Sequence, residues 1–249
     1  MKRNTIKTFS FAILLLFTFT SCVKEIYYQN GGKTIKGNKE VTTENREISA
    51  DFHKIKKAGF TDLVIIEGEQ AGKIELNGEA NLLEHIETKV KNSTLYIGVK
   101  KNISIKAHQP IILKLQSDKL TSLTTAGSGD ISTEGKLQAD NFKIDQTGSS
   151  DLKLNLITQE LKINMTGSGD IKLSGESENM HVNRTGSGDL FAYDFLVKNA
   201  EINSAGSGDT EINVQNQLNI TKTGSGDIYY KGKAKVKTSS TGSGDIIEK

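Results

Sequence analysis

A four-residue turn recurs seven times in the second half of this chain, and its spacing constrains the fold more than any other feature. Gly-Ser-Gly-Asp begins at Gly127, Gly167, Gly186, Gly206, Gly224 and Gly242, and a variant, Gly-Ser-Ser-Asp, begins at Gly148. Successive first glycines stand 21, 19, 19, 20, 18 and 18 residues apart. A period near twenty is the mark of a solenoid, in which no repeat can bury its apolar face without its neighbours. The turns hold 13 of the 24 glycines, so the glycine excess belongs to corners and not to a disordered tract.

Aligning the repeats on the first glycine separates inward from outward positions. The residue after the Asp is Ile131, Leu152, Ile171, Leu190, Thr210, Ile228 and Ile246. Four before the glycine stand Leu123, Ile144, Ile163, Val182, Ile202, Ile220 and Thr238, and six before it Thr121, Phe142, Leu161, Met180, Ala200, Leu218 and Val236. Such columns predict coils stacked in parallel register, about 4.8 Å apart. Each coil has one strand after the turn and another before the next, with a variable loop such as Gly175-Glu176-Ser177-Glu178 between them. Two before the glycine the residues are mostly polar (Thr125, Gln146, Met165, Arg184, Ser204, Lys222, Ser240), and one before it they are all small. This predicts a bulge that turns the small residue inward and the long one to water.

The turn itself has a physical reading. Glycine supplies a positive φ or a close backbone approach without a Cβ penalty. Asp130, Asp151, Asp170, Asp189, Asp209, Asp227 and Asp245 are each expected to accept hydrogen bonds from their own turn. Two carboxylates 4.8 Å apart repel by roughly 0.9 kcal/mol at water's dielectric, which a charge-assisted hydrogen bond of about 1.5–3 kcal/mol offsets. One Asp per coil falls short of the six to eight oxygens calcium needs, so neither metal nor cofactor is expected.

The amino terminus reads as an address. Met1 to Lys7 is basic, and Phe9 to Phe19 is an apolar run broken by Ser10 and Thr18, with the proportions of a secretory signal. It leads through Phe19-Thr20-Ser21 into Cys22, the chain's one cysteine, as in the lipobox of bacterial lipoproteins. Cys22 is therefore expected to be lipidated after removal of residues 1–21, giving a membrane-anchored outer-membrane lipoprotein, facing either the periplasm or the exterior. Lys24-Glu25 is similar to a surface-export signal and favours the exterior. Residues 1–21 carry Lys2, Arg3 and Lys7, and without these three charges the formal +2 falls to −1. Bulk electrostatics then gives no support for a nucleic-acid partner.

Residues 22–40 are polar and glycine-containing, and read as a flexible tether. Residues 41–120 carry short β-branched runs without the turn motif, expected as irregular coils that run on into the regular solenoid of 121–249. One segment departs from strand periodicity: Asn81 is placed to cap a helix over 81–90, with Leu82, Leu83, Ile86 and Val90 on one face. Such a helix would cover the open end of the stack. The expected fold is thus all-β, a parallel β-helix or β-solenoid of about 18–21 residues per coil with a short N-terminal capping helix.

No catalytic residues emerge. The Gly-x-Ser-x-Gly elbow and the phosphate-loop Gly-Lys-Ser/Thr are both absent, and His53, His85, His108 and His181 share no metal-ligand spacing. Lys231, Lys233, Lys235 and Lys237 alternate along the last full strand, where lysines deter edge-to-edge pairing.

The lipoprotein start, the stretch Phe60 to Val99 with Asn81-Leu-Leu-Glu-His-Ile86 and Thr94-Leu-Tyr-Ile97, and the Gly-Ser-Gly-Asp array together resemble one family. It is the Bacteroidetes-rich family called putative auto-transporter adhesin, head GIN domain, and the resemblance covers roughly residues 48–247. It implies a right-handed parallel β-helix in the cell envelope and carries over no catalytic residue. The expected function is a non-enzymatic, adhesin-like surface lipoprotein with a glycan or protein ligand. The alternative is a carbohydrate-active β-helix enzyme of lyase or hydrolase type.

Overall fold

The computed structural model describes residues 32–249, so Cys22, the signal segment and the start of the tether lie outside the described residues. Strands pair in parallel along the corner row: Gly59 with Gly127, then Gly148, Gly167, Gly186, Gly206 and Gly224 in turn. Two faces rise from this row. On one, the strands that precede each first glycine stack from Thr94–Val99 through Lys54–Gly59 and Ser122–Gly127 to Lys235–Thr241. On the other, the strands that follow each Asp stack from Ile112–Gln116 through Asp62–Ile66 and Ile131–Glu134 to Ile246–Glu248.

The core is the column set read from the sequence. Ile163, Val182 and Ile202 are fully buried, as are Leu161, Met180 and Leu218 one step before and Ile171, Leu190 and Ile228 beyond the turn. Stacked aliphatic rows of this kind exclude water along the whole axis, which is the driving force for coil-on-coil association.

Two local expectations are corrected. The segment between the two strands of a coil is not a loop: Ile171–Gly186 is one continuous strand, with Gly175, Glu176 and Ser177 paired to Leu156, Ile157 and Thr158. The phase change also lies elsewhere. Alternate residues point inward without a break up to the glycine, so Gln146, Arg184, Ser204 and Lys222 are buried while Thr147, Thr166, Thr185 and Thr223 are exposed. The step comes at a second corner, where Thr158 and Leu161, and Ser177 and Met180, are both buried three residues apart. Thr158 Oγ1 donates there to the Asp140 or Glu160 carbonyl, each at 3.1 Å, and Ser177 Oγ donates to the Asn179 carbonyl at 2.7 Å.

The amino-terminal cap is made of strands. Val41–Glu47 runs antiparallel to Lys73–Glu79, which runs antiparallel to Ile112–Gln116. Ile86–Lys91 runs antiparallel to Thr94–Val99. The helix expected over 81–90 shrinks to the single turn Ala80–Leu83, and Asn81 is not its cap. Ile86 and Val90, four apart, fit period 2 as well as period 3.6, and pairing with Thr94–Val99 decides for the strand. Arg46 holds the junction, donating at 2.6 Å to both the Leu83 and Ile86 carbonyls.

Residues 33–40 are not part of the tether expected over 22–40. Lys33–Lys36 is a strand paired in parallel with Ile103–Lys106, and the next residues are bonded to the cap. Asn38 N–H donates to Asn81 Oδ1 at 2.9 Å, and Asn81 Nδ2 donates to the Lys36 carbonyl at 2.7 Å. The fully buried Glu79 carboxylate completes the clasp, accepting 2.7 Å bonds from the Lys39 and His108 backbone N–H groups. Burial alone would raise its pKa, but these donors, the His108 ring and the Gln109 N–H outweigh it and hold the carboxyl down to about 2.

Candidate functional site

Every aspartate of the repeated turn lies on one line along the first corner, and each bonds a neighbouring coil. Asp151 N–H donates to Asp130 Oδ1 at 3.0 Å, Asp170 to Asp151 at 2.9 Å, and Asp189 to Asp170 at 2.8 Å. Asp209, Asp227 and Asp245 continue the ladder at 2.7 Å each. This corrects the expectation that each carboxylate bonds its own turn. Glycine carbonyls serve the other corner amides: Ser187 and Gly188 N–H both donate to Gly167 O, at 2.9 and 3.2 Å. A tight corner tips peptide planes out of the sheet register, and the side chain supplies the acceptor that the backbone then lacks.

The ladder begins one coil earlier than the repeat. Asp130 N–H donates to Asp62 Oδ1 at 2.9 Å, so Gly59-Phe60-Thr61-Asp62 is an eighth corner. Sequence reading missed it because only its glycine and aspartate match, although Ala58 before and Leu63 after fit the same frame.

Behind the aspartates runs a buried polar row, also missed. Lys57 Nζ donates to Gly129 O at 2.8 Å, Arg184 Nη1 to Gly188 O at 2.9 Å, and Gln146 Nε2 to Ser150 O. Each satisfies a corner carbonyl that points into the stack, where an unpaired acceptor would cost about 1–3 kcal/mol. Alternation continued unbroken from the apolar columns is the sequence signal that would have placed this row inside.

Burial pushes the Lys57 ammonium down to about 8, against the pull of Asp62 and Asp130. It pushes the Arg184 guanidinium down too, against Asp189 and Asp209. Asp227 is held below the usual carboxylate range by the Asp245 N–H, then by the Tyr229 hydroxyl. For Lys57 the folded value lies below the ordinary 10.5, so between pH 8 and 10.5 the unfolded chain binds the extra proton. Stability should therefore climb with pH across that window, by about 2–3 kcal/mol from this group. Urea melts from pH 7 to 10 should show the rise in the native chain and a flatter profile in Lys57→Met. Parallel profiles would mean that Lys57 is not desolvated.

The histidines do not converge. His181 lies 3.4 Å from Glu201 and 4.0 Å from Glu160 on an outward face, His108 contacts Glu79, and His53 and His85 sit beside Asp51 and Glu84. Among the described residues no group of three or more His, Cys, Asp or Glu is placed to hold a metal. The four lysines do not share one strand: Lys231 lies in Ile228–Gly232, Lys233 between the strands, and Lys235 and Lys237 are exposed on Lys235–Thr241, while Lys231 Nζ lies 5.0 Å from the Tyr193 ring.

The second corner carries an open groove of about 810 Å³, lined from Gln138, Ile157, Glu176 and Leu196 to Asp140, Gln159, Glu178 and Lys198. Lys198 pairs with Glu178, and Gln159 Nε2 donates to Asp140 Oδ1 at 3.2 Å.

Comparison with known proteins fits this architecture. Residues 51–234 match the family described as "Putative auto-transporter adhesin, head GIN domain". The chain belongs to that family. A putative adhesin from Bacteroides fragilis shares this GIN-domain fold with a TM-score of 0.80 at 24% identity, covering 86% of this chain and 100% of its own. A putative lipid binding protein from Parabacteroides distasonis matches at 0.69 and 26% identity, covering 87% and 100%. A putative adhesin from Parabacteroides merdae matches at 0.67 and 25%, covering 87% and 99%. No curated protein matches the sequence.

Proposed function

We propose that this GIN-domain chain is an outer-membrane lipoprotein, anchored through Cys22 and exposed at the cell surface, that works as a non-enzymatic interaction domain. The observation that carries the non-enzymatic reading is the aspartate ladder. The carboxylates of the repeated turn are engaged by backbone N–H groups of the next coil. Membership of an adhesin-named family supports the surface role. The anchor rests on the apolar run that ends at the lone cysteine. From Cys22 to the first strand at Lys33 the chain has eleven residues, a covalent reach of about 40 Å at most. A domain on so short a leash samples ligands close to its own membrane.

Cys22→Ser should leave an unacylated precursor that retains residues 1–21, and intact cells should lose the protease-accessible domain. Mass spectrometry of the native protein showing a mature chain without acyl groups would overturn the anchor. A second reading, a carbohydrate-active enzyme, draws on the acids and the lysine of the second-corner groove. Release of reducing ends from polysaccharides by the purified chain, abolished in Glu176→Gln, would establish it in place of the first.

A further inference from the structure

The second-corner groove crosses four coils, and its chemistry is narrower than that of a general docking surface. We propose that it binds an extended, uncharged glycan lying along the solenoid axis, a proposal that rests on the interaction-domain reading above.

The ladder runs through the groove, Gln138 with Ile157, Ile157 with Glu176, Glu176 with Leu196 and Leu196 with Asn213, and lapses only at the corner residues Asp140, Gln159, Glu178 and Lys198. The inner coils thus leave a peptide no continuous strand edge, so a partner there meets side chains. Its charged and amide side chains are three carboxylates, two amides and one ammonium: Asp140, Glu176 and Glu178 against Lys198, with Gln138 and Gln159 beside them. A net charge near −2 repels nucleic acid, anionic glycans and anionic lipid headgroups. Ionised carboxylates accept hydrogen bonds and donate none, and sugar hydroxyls are donors that match them.

The groove also has an apolar element. Leu196 is 41% exposed, one of two large hydrophobic side chains so exposed among the described residues. It stands in register with Glu176, beyond Ile157. The strand that carries Leu196 slips register just before it, since Ala192 pairs with Ile212 and Leu196 with Asn213. Bulges of this kind re-aim side chains and cluster at binding sites. An apolar side chain between hydroxyl acceptors suits a pyranose ring, which is apolar on its C–H faces and polar at its rim. Coils repeat at about 4.8 Å, close to the advance of one sugar in an extended chain, so successive sugars would meet successive coils.

The test is calorimetric titration of the full chain, purified in detergent, with neutral hexasaccharides of glucose, mannose and N-acetylglucosamine. A heparin fragment and oligolysine serve as charged probes. At least one neutral hexasaccharide should bind, with affinity reduced tenfold or more in Leu196→Ser and in Glu176→Ala. Both substitutions are at exposed positions, and thermal melts should match the native chain. Hydroxyl-radical footprinting of the native chain should show Leu196 protected by the bound sugar.

Absence of binding by every neutral probe would overturn the glycan, while surface proteolysis of cells would still report on the anchor. Undiminished binding in both variants would overturn the groove and leave the interaction reading standing. Tight binding of oligolysine, lost in Glu176→Ala, would replace the glycan with a basic peptide. Heparin binding protecting Leu196 would overturn the charge argument.

Discussion

Gly186→Val should destabilise the chain by about 4 kcal/mol or more, enough to leave much of it misfolded at 37 °C. Two costs combine. Gly186 has φ +129°, a backbone region that a β-branched residue enters only with strain, worth about 1–3 kcal/mol. A Cβ built there would also be driven into the Gly167 carbonyl oxygen of the preceding coil. That oxygen cannot withdraw, because it accepts from Ser187 and Gly188 N–H. Gly188→Ser is the instructive control. A Cβ at Gly188 would press on the Gly169 carbonyl oxygen as one at Gly186 presses on that of Gly167, but its φ is not positive, and Ser150 and Thr61 hold the same corner position in other coils. Its cost should be about 1–3 kcal/mol, below that of Gly186→Val by the missing backbone strain. Urea melts of the two variants decide the matter, and a Gly186→Val loss below about 1 kcal/mol would refute the corner requirement.

The second large effect is expected at Asp189. Asp189→Ala removes the acceptor 2.7 Å from the Asp209 N–H and one of two carboxylates that stabilise the buried Arg184 guanidinium. An orphaned donor costs about 1–3 kcal/mol and a weakened buried ion adds to it, so a loss of about 3 kcal/mol is expected. Asp189→Asn keeps an accepting oxygen but loses the counter-charge, and should cost about 1 kcal/mol. Asp151→Asn should be near neutral, because the buried row beside it holds Gln146 and Met165 in place of a cation. Equal melts for the two Asn variants would show that the row does not stabilise Arg184. EDTA should leave the melting temperature unchanged. A calcium-induced rise of several degrees, lost in Asp189→Asn, would reveal a cation ladder instead.

Much of this fold is legible in the sequence, and the exceptions have identifiable physical causes. The apolar columns were readable because stacked coils repeat the same burial at the same offset, so Ile163, Val182 and Ile202 announce themselves. Arg184, Lys222 and Gln146 are buried against the expectation that their polarity sets for them. Inside a corner, carbonyls turned inward need donors, and a long polar side chain is what reaches them. The 81–90 segment failed for a different reason. Its local pattern permits helix or strand, and the choice is made by Thr94–Val99, a partner that propensity does not see. Gly59-Phe60-Thr61-Asp62 went unrecognised because a corner needs little: one glycine with positive φ and one carboxylate. The groove left no motif, since it lies at the second corner, where the coils differ from one another in sequence, as Gly175-Glu176-Ser177-Glu178 does from its neighbours.

The aspartate ladder has a direction. In every pair the carboxylate belongs to the earlier coil and the N–H to the later one, from Asp62 and Asp130 through to Asp227 and Asp245. The first member is exempt from needing a carboxylate before it, because Asp62 N–H is bonded at 2.9 Å to the Ile111 carbonyl of the cap. The stack therefore works as a zipper with a built-in first tooth. A coil added at the carboxyl-terminal end finds its acceptor already fixed, whereas one added at the other end would have to supply an acceptor to a donor already folded. Because a polypeptide is made amino-terminus first, the order in which coils emerge is the order in which their docking surfaces come ready. Each finished turn is the mould for the next.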